Sequence, residues 1–193
     1  LQSIQVASTM VTVAEGASTN VNVTLAYQPV GSAVVDVASL APGIADVTPA
    51  TLTFTAANYA TPQAISISGT EDADVVGGTT SISLALLGAT GATVDVTVTD
   101  NDTLGIELSP AMITLGEGSS DTLQVRLTAQ PSAATTVNLM SSDTTAVGIS
   151  TTSLTFTPQD WNVFQDVTVT GVEDADTVND NATITATSMG VTT

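Results

Sequence analysis

Apolar and polar residues alternate in short runs along the whole chain, and turn-forming residues break the runs at close intervals. Val94, Val96 and Val98 alternate with Asp95, Thr97 and Thr99. A period of two places one set of side chains in a core and the other in water. In the first half the pattern predicts strands over 4–13, 19–26, 33–39, 47–54, 63–69, 79–86 and 93–99. Helix signals are absent. Seven short antiparallel strands in about 100 residues predict a β-sandwich of the immunoglobulin-like kind.

The pattern then repeats. Glu15-Gly16 recurs as Glu117-Gly118, Leu52-Thr53-Phe54-Thr55 as Leu154-Thr155-Phe156-Thr157, and Glu71-Asp72-Ala73-Asp74 as Glu173-Asp174-Ala175-Asp176. The offsets 117 − 15, 154 − 52 and 173 − 71 all equal 102. Laying 1–91 on 103–193 at that shift needs no gap and matches 26 positions. The chain is therefore a tandem duplication with its boundary near Asp102. The predicted fold is all-β, two tandem seven-stranded immunoglobulin-like antiparallel β-sandwiches, over 1–102 and 103–193.

The second repeat is expected to be incomplete. Repeat one uses 92–102 for its last strand and tail, and their counterparts, 194–204, fall past Thr193. Two readings stand: a cut through a longer array, or a sandwich completed by a strand from another chain, as in a donor-strand filament. Either leaves an open strand edge, which invites self-association.

Composition narrows the function. Only 3% of residues are aromatic, so Val, Ile, Leu and Ala must build the cores. No apolar run is long enough to span a membrane, and no basic-then-apolar leader opens the chain. Nineteen acids face one base, Arg126, with no Lys and no His, for a formal charge of −18. Nucleic acid and anionic lipid both need clustered Lys and Arg, so neither is a partner. Without cysteine there is no disulfide framework, and bound metal is the obvious substitute in a secreted protein.

Seven strands also impose a parity. If the chain enters at one pole, strands one, three, five and seven all finish at the other. Glu15, Asp46, Glu71, Asp72, Asp74, Asp100 and Asp102 then collect at one pole, whereas loops 27–31, 55–61 and 87–91 hold no acid. Like charges a few ångströms apart repel by roughly 4 kcal/mol per pair at an effective dielectric near 20. A cation is needed to hold such a cluster closed, and calcium (Ca2+) fits best. It takes six to eight oxygens in irregular geometry from several loops. Zinc and copper would want His or Cys, and magnesium is poorly matched to so many protein oxygens. Acidic loop tips also serve simply as a solvated surface, which is the plainer alternative. The spacing is not an EF-hand: Val76 stands where a third ligand belongs, and Ser83 falls at position twelve.

Together, Val11-Thr12-Val13-Ala14-Glu15-Gly16, Leu52-Thr53-Phe54, Glu71-Asp72-Ala73-Asp74 and Val96-Thr97-Val98-Thr99-Asp100-Asn101-Asp102 resemble the Calx-β repeats of sodium–calcium exchangers, integrin β4 and many bacterial surface proteins. The resemblance spans essentially the whole chain. It implies a seven-stranded sandwich binding calcium at the pole facing the next module. The implied ligands are Glu15, the acids of 71–74, Asp100 and Asp102, and in repeat two Glu117, Glu173, Asp174 and Asp176. The family's acidic turn often continues with further Glu; here Val75-Val76-Gly77-Gly78 follows, and Thr177-Val178-Asn179-Asp180 in repeat two, where Asp180 joins the candidates.

Other residues read as structure. Tyr59 and Trp161 are equivalent (161 − 59 = 102) and are expected to plug the core beside Phe54 and Phe156. Arg126 is expected to pair with a neighbouring acid such as Glu107. Asn22-Val23-Thr24 and Asn181-Ala182-Thr183 fit a glycosylation sequon, a pattern common by chance in a Thr-rich chain. With no His, Cys or Lys there is no conventional base for a Ser or Thr nucleophile, so no enzyme is expected. The expected role is a calcium-binding structural repeat that stiffens a rod-like stalk of a cell-surface or secreted, adhesin-type protein, partnered by neighbouring modules. The alternative is a self-assembling surface-layer or filament subunit.

Overall fold

A computed structural model describes residues 1–175, 178–189 and 191. The described residues form sixteen strands and no helix. The chain divides into two compact units, Leu1–Asp72 with Val76–Asn101, and Ala73–Val75 with Asp102–Thr193.

The first unit is an immunoglobulin-like β-sandwich. Its strands are β1 (Ile4–Val6), β2 (Met10–Ala14), β3 (Ser18–Leu25), β4 (Ala33–Ser39), β5 (Ala45–Thr48), β6 (Thr51–Phe54), β7 (Gln63–Gly69), β8 (Gly78–Ala85) and β9 (Ala92–Thr99). One sheet runs β1-β3-β7-β5 and the other β2-β9-β8-β4-β6. Every ladder is antiparallel except β2 on β9. Alternate residues of both sheets meet between them: Val23, Val35, Phe54, Ile65, Ile67, Ile82 and Val94 are each fully buried. Each such side chain contributes roughly 1.5–3 kcal/mol relative to remaining exposed.

Two of the seven expected strands are each divided between the sheets. Within 4–13, the Ala7 N–H still donates to Asn22 O of β3 at 2.8 Å, while Thr9 O already accepts from Asp95 N–H of β9 at 2.9 Å. Over three residues the chain leaves one sheet for the other. Within 47–54, Pro49 and Ala50 separate β5, on β7, from β6, on β4. Pro cannot donate to a ladder, so the crossing falls at a residue that would have ended one.

The second unit holds β10 (Ile106–Ser109), β11 (Ser120–Leu127), β12 (Thr135–Ser141), β13 (Val147–Ile149), β14 (Ser153–Phe156), β15 (Gln165–Gly171) and β16 (Ile184–Thr187). Its sheets are β10-β11-β15-β13 and β14-β12-β16. Strands β11, β12, β14 and β15 carry the bounds of β3, β4, β6 and β7 plus 102 at both ends. Phe156, Val125, Val137 and Val167 are fully buried, like their counterparts. Around the second sheet the match weakens. Leu52 and Ile82 are buried, whereas Leu154 and Ile184 are only half-buried.

Candidate metal centre

Three strand ends of the first unit converge on one acidic group. Glu15 follows β2, Asp72 lies three residues past β7, and Asp100 directly follows β9. One carboxylate oxygen from each lies within 4.8 Å of the other two. Glu15 is buried (5% exposed), Asp100 is half-buried and Asp72 is exposed, so the group opens to solvent on one side. Glu15 Oε2 and Asp100 Oδ2 are both shielded from water.

The backbone explains why Glu15 turns inward. Its N–H donates to Thr99 O of β9 at 3.1 Å, and the next N–H, of Gly16, donates to Gly69 O of β7 at 3.2 Å. Glu15-Gly16 therefore ties one sheet to the other. Gly16 sits at φ +65°, a left-handed conformation that costs a residue with a Cβ roughly 1–2 kcal/mol. Gly69 is also required: a Cβ there would lie 2.6 Å from Ala14 O. Asn101 completes the frame, its Nδ2 donating to Glu15 O at 3.3 Å and to Glu71 Oε1 at 3.4 Å.

The other expected ligands are distributed as follows. Glu71 is exposed and stands beside the trio, held by Asn101. Asp46 lies inside β5, not in a loop, because that strand begins at Ala45, two residues before the expected start. Its Oδ1 accepts from Val47 N–H at 2.8 Å, outside the trio. Asp74 and Asp102 group with the second unit. In that unit Glu117, Glu173, Asp174 and Asp180 are all exposed, and no three acids gather among its described residues. Asp176 lies outside the described residues. Asn101 belongs to the expected Asp100-Asn101-Asp102 stretch and takes part as a donor to the frame.

An all-oxygen donor set spread over three loops, with no Cys or His in the chain, suits a hard cation such as calcium and not zinc or copper. Glu15, Asp72 and Asp100 would hold it, and the cation would neutralise their charge where the two sheets meet.

The single base lies elsewhere. Arg126 Nε meets Glu107 Oε2 at 2.8 Å, directly across the β10–β11 ladder, and its guanidinium lies 4.4 Å from the Phe164 ring centroid. Both charged groups are part-exposed, so the pair contributes at most about 1 kcal/mol. Tyr59 and Trp161 pack on their cores, and their carbonyls accept from Leu25 and Leu127 N–H at 2.8 and 2.9 Å. Both are structural plugs.

Compared with protein-family models and with curated proteins, the chain finds no match. Among solved structures it is similar to the YadV chaperone, with 13% identity, TM-score 0.37, and coverage of 96% of this chain and 99% of that one. It is similar to domains 4–9 of the surface layer protein SbsC, with 17% identity, TM-score 0.36, and coverage of 95% and 30%. It is also similar to Escherichia coli alpha-2-macroglobulin, with 8% identity, TM-score 0.33, and coverage of 97% and 22%. The chain thus spans under a third of the last two. Among the described residues no helix is long and apolar enough to cross a membrane.

Proposed function

We propose that this chain is a calcium-stiffened structural segment of an extracellular or cell-surface protein, and that it does not catalyse a reaction. The observation that carries this reading is the convergence of Glu15, Asp72 and Asp100 oxygens within 4.8 Å. Three carboxylates so close repel unless a cation lies among them, at roughly 4 kcal/mol per pair. The strands they terminate belong to both sheets, so one ion ties the sandwich together at this pole. It also fixes the tail at Asp100, from which the chain leaves the first unit. The likeness to Calx-β repeats points the same way.

Against catalysis stands the makeup of the surface. An open groove of about 870 Å³ beside β1 and β9 is lined by one carboxylate, Asp95, and by no base. Extracellular placement rests on the acidity. A chain of charge −18 depends on cations from solution, and calcium is abundant outside cells.

The deciding experiment is thermal unfolding with light scattering, in calcium and in chelator. A calcium 100-fold above its dissociation constant adds about 2.7 kcal/mol. A raised melting temperature with the particle still monomeric supports the stiffened segment. Growth into large particles would instead favour assembly, and no response would reduce the acidic pole to a solvated surface.

A further inference from the structure

The outermost strand of one sheet is closed by the same contact in both units. In the first unit β6 ends its sheet, bonded to β4 with no strand on its other side among the described residues. In the second unit β14 ends its sheet beside β12 in the same way. Val37 N–H donates to Ala50 O at 2.8 Å, and Leu139 N–H to Thr152 O at 2.9 Å. Successive residues of a strand turn their backbone groups to opposite sides. Leu52 and Phe54 therefore bond toward β4, whereas Thr51 and Thr53 present their N–H and C=O groups at the free edge. Ser153 and Thr155 do so in the second unit.

Such an edge is a template for another strand, and side-chain charge is a common deterrent. That deterrent is missing here. Residues 48–62 and 147–159 carry no charge, and both repeats place the strand-forming run Leu-Thr-Phe-Thr there. Copies of a chain of charge −18 repel over most of their surface, so these edges are where like strands meet with least repulsion.

A glutamine from the opposite sheet occupies the outward acceptor instead. Gln63, the first residue of β7, donates from Nε2 to Thr53 O at 2.8 Å. Gln165, the first residue of β15, donates to Thr155 O at the same 2.8 Å. Both glutamines are half-buried. Next along each edge, Asn58 Oδ1 accepts from Thr55 N–H and Asp160 Oδ1 from Thr157 N–H. The second unit closes one residue more: Thr151 Oγ1 donates to Ser153 O at 3.0 Å and accepts from Ser153 N–H at 3.3 Å.

We infer that Gln63 and Gln165 are edge latches, autoinhibitory contacts that keep β6 and β14 from pairing with the same strand of a second copy. A strand added at this edge needs the Thr53 or Thr155 carbonyl as an acceptor, and the glutamine amide already holds it.

The test uses the full chain with chelator present throughout, so its outcome is independent of the calcium reading. Gln63→Met and Gln165→Met keep the side-chain length and remove the donor. Light scattering follows particle mass as concentration rises, below the melting transition of each variant, and hydrogen exchange maps any new pairing. The double variant is expected to reach at least about twice the mass of the unaltered chain, with exchange slowed along β6 and β14. Adding Thr53→Pro and Thr155→Pro removes an outward N–H from each edge and should restore the original mass. A double variant of unchanged mass overturns the inference. So does association that the prolines leave intact, or slowed exchange confined to other strands.

Discussion

The carboxylate of Glu71 occupies the space in which a side chain on Gly16 would begin. A Cβ built on Gly16 would stand 2.6 Å from Glu71 Oε2, and in the second unit a Cβ on Gly118 would stand 2.7 Å from Glu173 Oε1. The Glu-Gly and Glu-Asp-Ala-Asp motifs, 55 residues apart in both repeats (71 − 16 and 173 − 118), are thus two halves of one contact. Each glycine is also left-handed, at φ +65° and +67°.

Replacement of Gly16 by Ala therefore combines backbone strain with a displaced carboxylate. We expect Gly16→Ala to destabilise the first unit by about 1–2 kcal/mol. It should also weaken calcium binding, because Glu15 is set by the same turn. Gly118→Ala should cost the second unit a similar amount in chemical denaturation while leaving calcium binding unchanged. An equal effect of both variants on calcium would contradict the assignment of the site to the first unit.

Stoichiometry follows from the same asymmetry. Glu15 is buried, whereas Glu117 is exposed, and the one group of three acids among the described residues is Glu15, Asp72 and Asp100. Calorimetric titration should therefore return one calcium per chain. Asp100→Asn should weaken it at least about tenfold, or roughly 1.4 kcal/mol, whereas Glu117→Gln should leave it unaltered. Two equivalent sites would show that Glu117, Glu173 and Asp174 also hold an ion.

Much of this arrangement was written in the alternation. Strands β3, β4, β7, β8 and β9 fall within a residue of the expected bounds, since each keeps one phase of inward positions. The two divided strands do not. Inward residues are Ile4 and Val6 before the first bend but Val11 and Val13 after it, and Ala45 and Val47 before Pro49 but Leu52 and Phe54 after it. A regular strand keeps one phase of inward positions, and here each slip coincides with the change of sheet. The burial of Glu15 was less accessible. It depends on hydrogen bonds to Thr99 and Gly69, distant partners that no local pattern displays. Asp46 was misplaced because β5 begins at Ala45, where pairing with Gly69 of β7 extends the strand two residues past its expected start.

The two repeats allow a controlled comparison of core packing. Ile82 and Ile184 occupy the same position, yet Ile82 is fully buried and Ile184 is half-buried. Ile82→Ala should cost about 2–5 kcal/mol, the range for a filled core site, and should unfold the first unit early. Ile184→Ala removes the same atoms from a site already open to water and should cost well under half as much. Urea denaturation of the two variants, followed by exchange in each unit, measures the difference. Equal losses would mean that the half-buried site is as tightly packed as the core.

The last comparison concerns acid. Thr55 and Thr157 begin equivalent turns, closed by Asn58 in one repeat and by Asp160 in the other. Asn58 Oδ1 accepts from Thr55 N–H at 2.6 Å, and Asp160 Oδ1 accepts from Thr157 N–H and hydroxyl at 2.5 and 2.8 Å. The Thr157 N–H, and after it the hydroxyl, hold the Asp160 carboxyl below its ordinary 3.8. Asp143 is lowered in the same way by the hydroxyl and N–H of Thr145. A carboxyl lowered on folding contributes stability that is present above its unfolded value and is lost as pH falls through its folded value. The second unit should therefore weaken as pH drops below about 4, and Asp160→Asn, which copies the first repeat, should flatten part of that fall. Asp143 supplies the remainder, so the double variant should be the flatter. Denaturation midpoints across the acid range, read separately for each unit, provide the check. An unchanged slope in the double variant would show that other carboxyls carry the acid response.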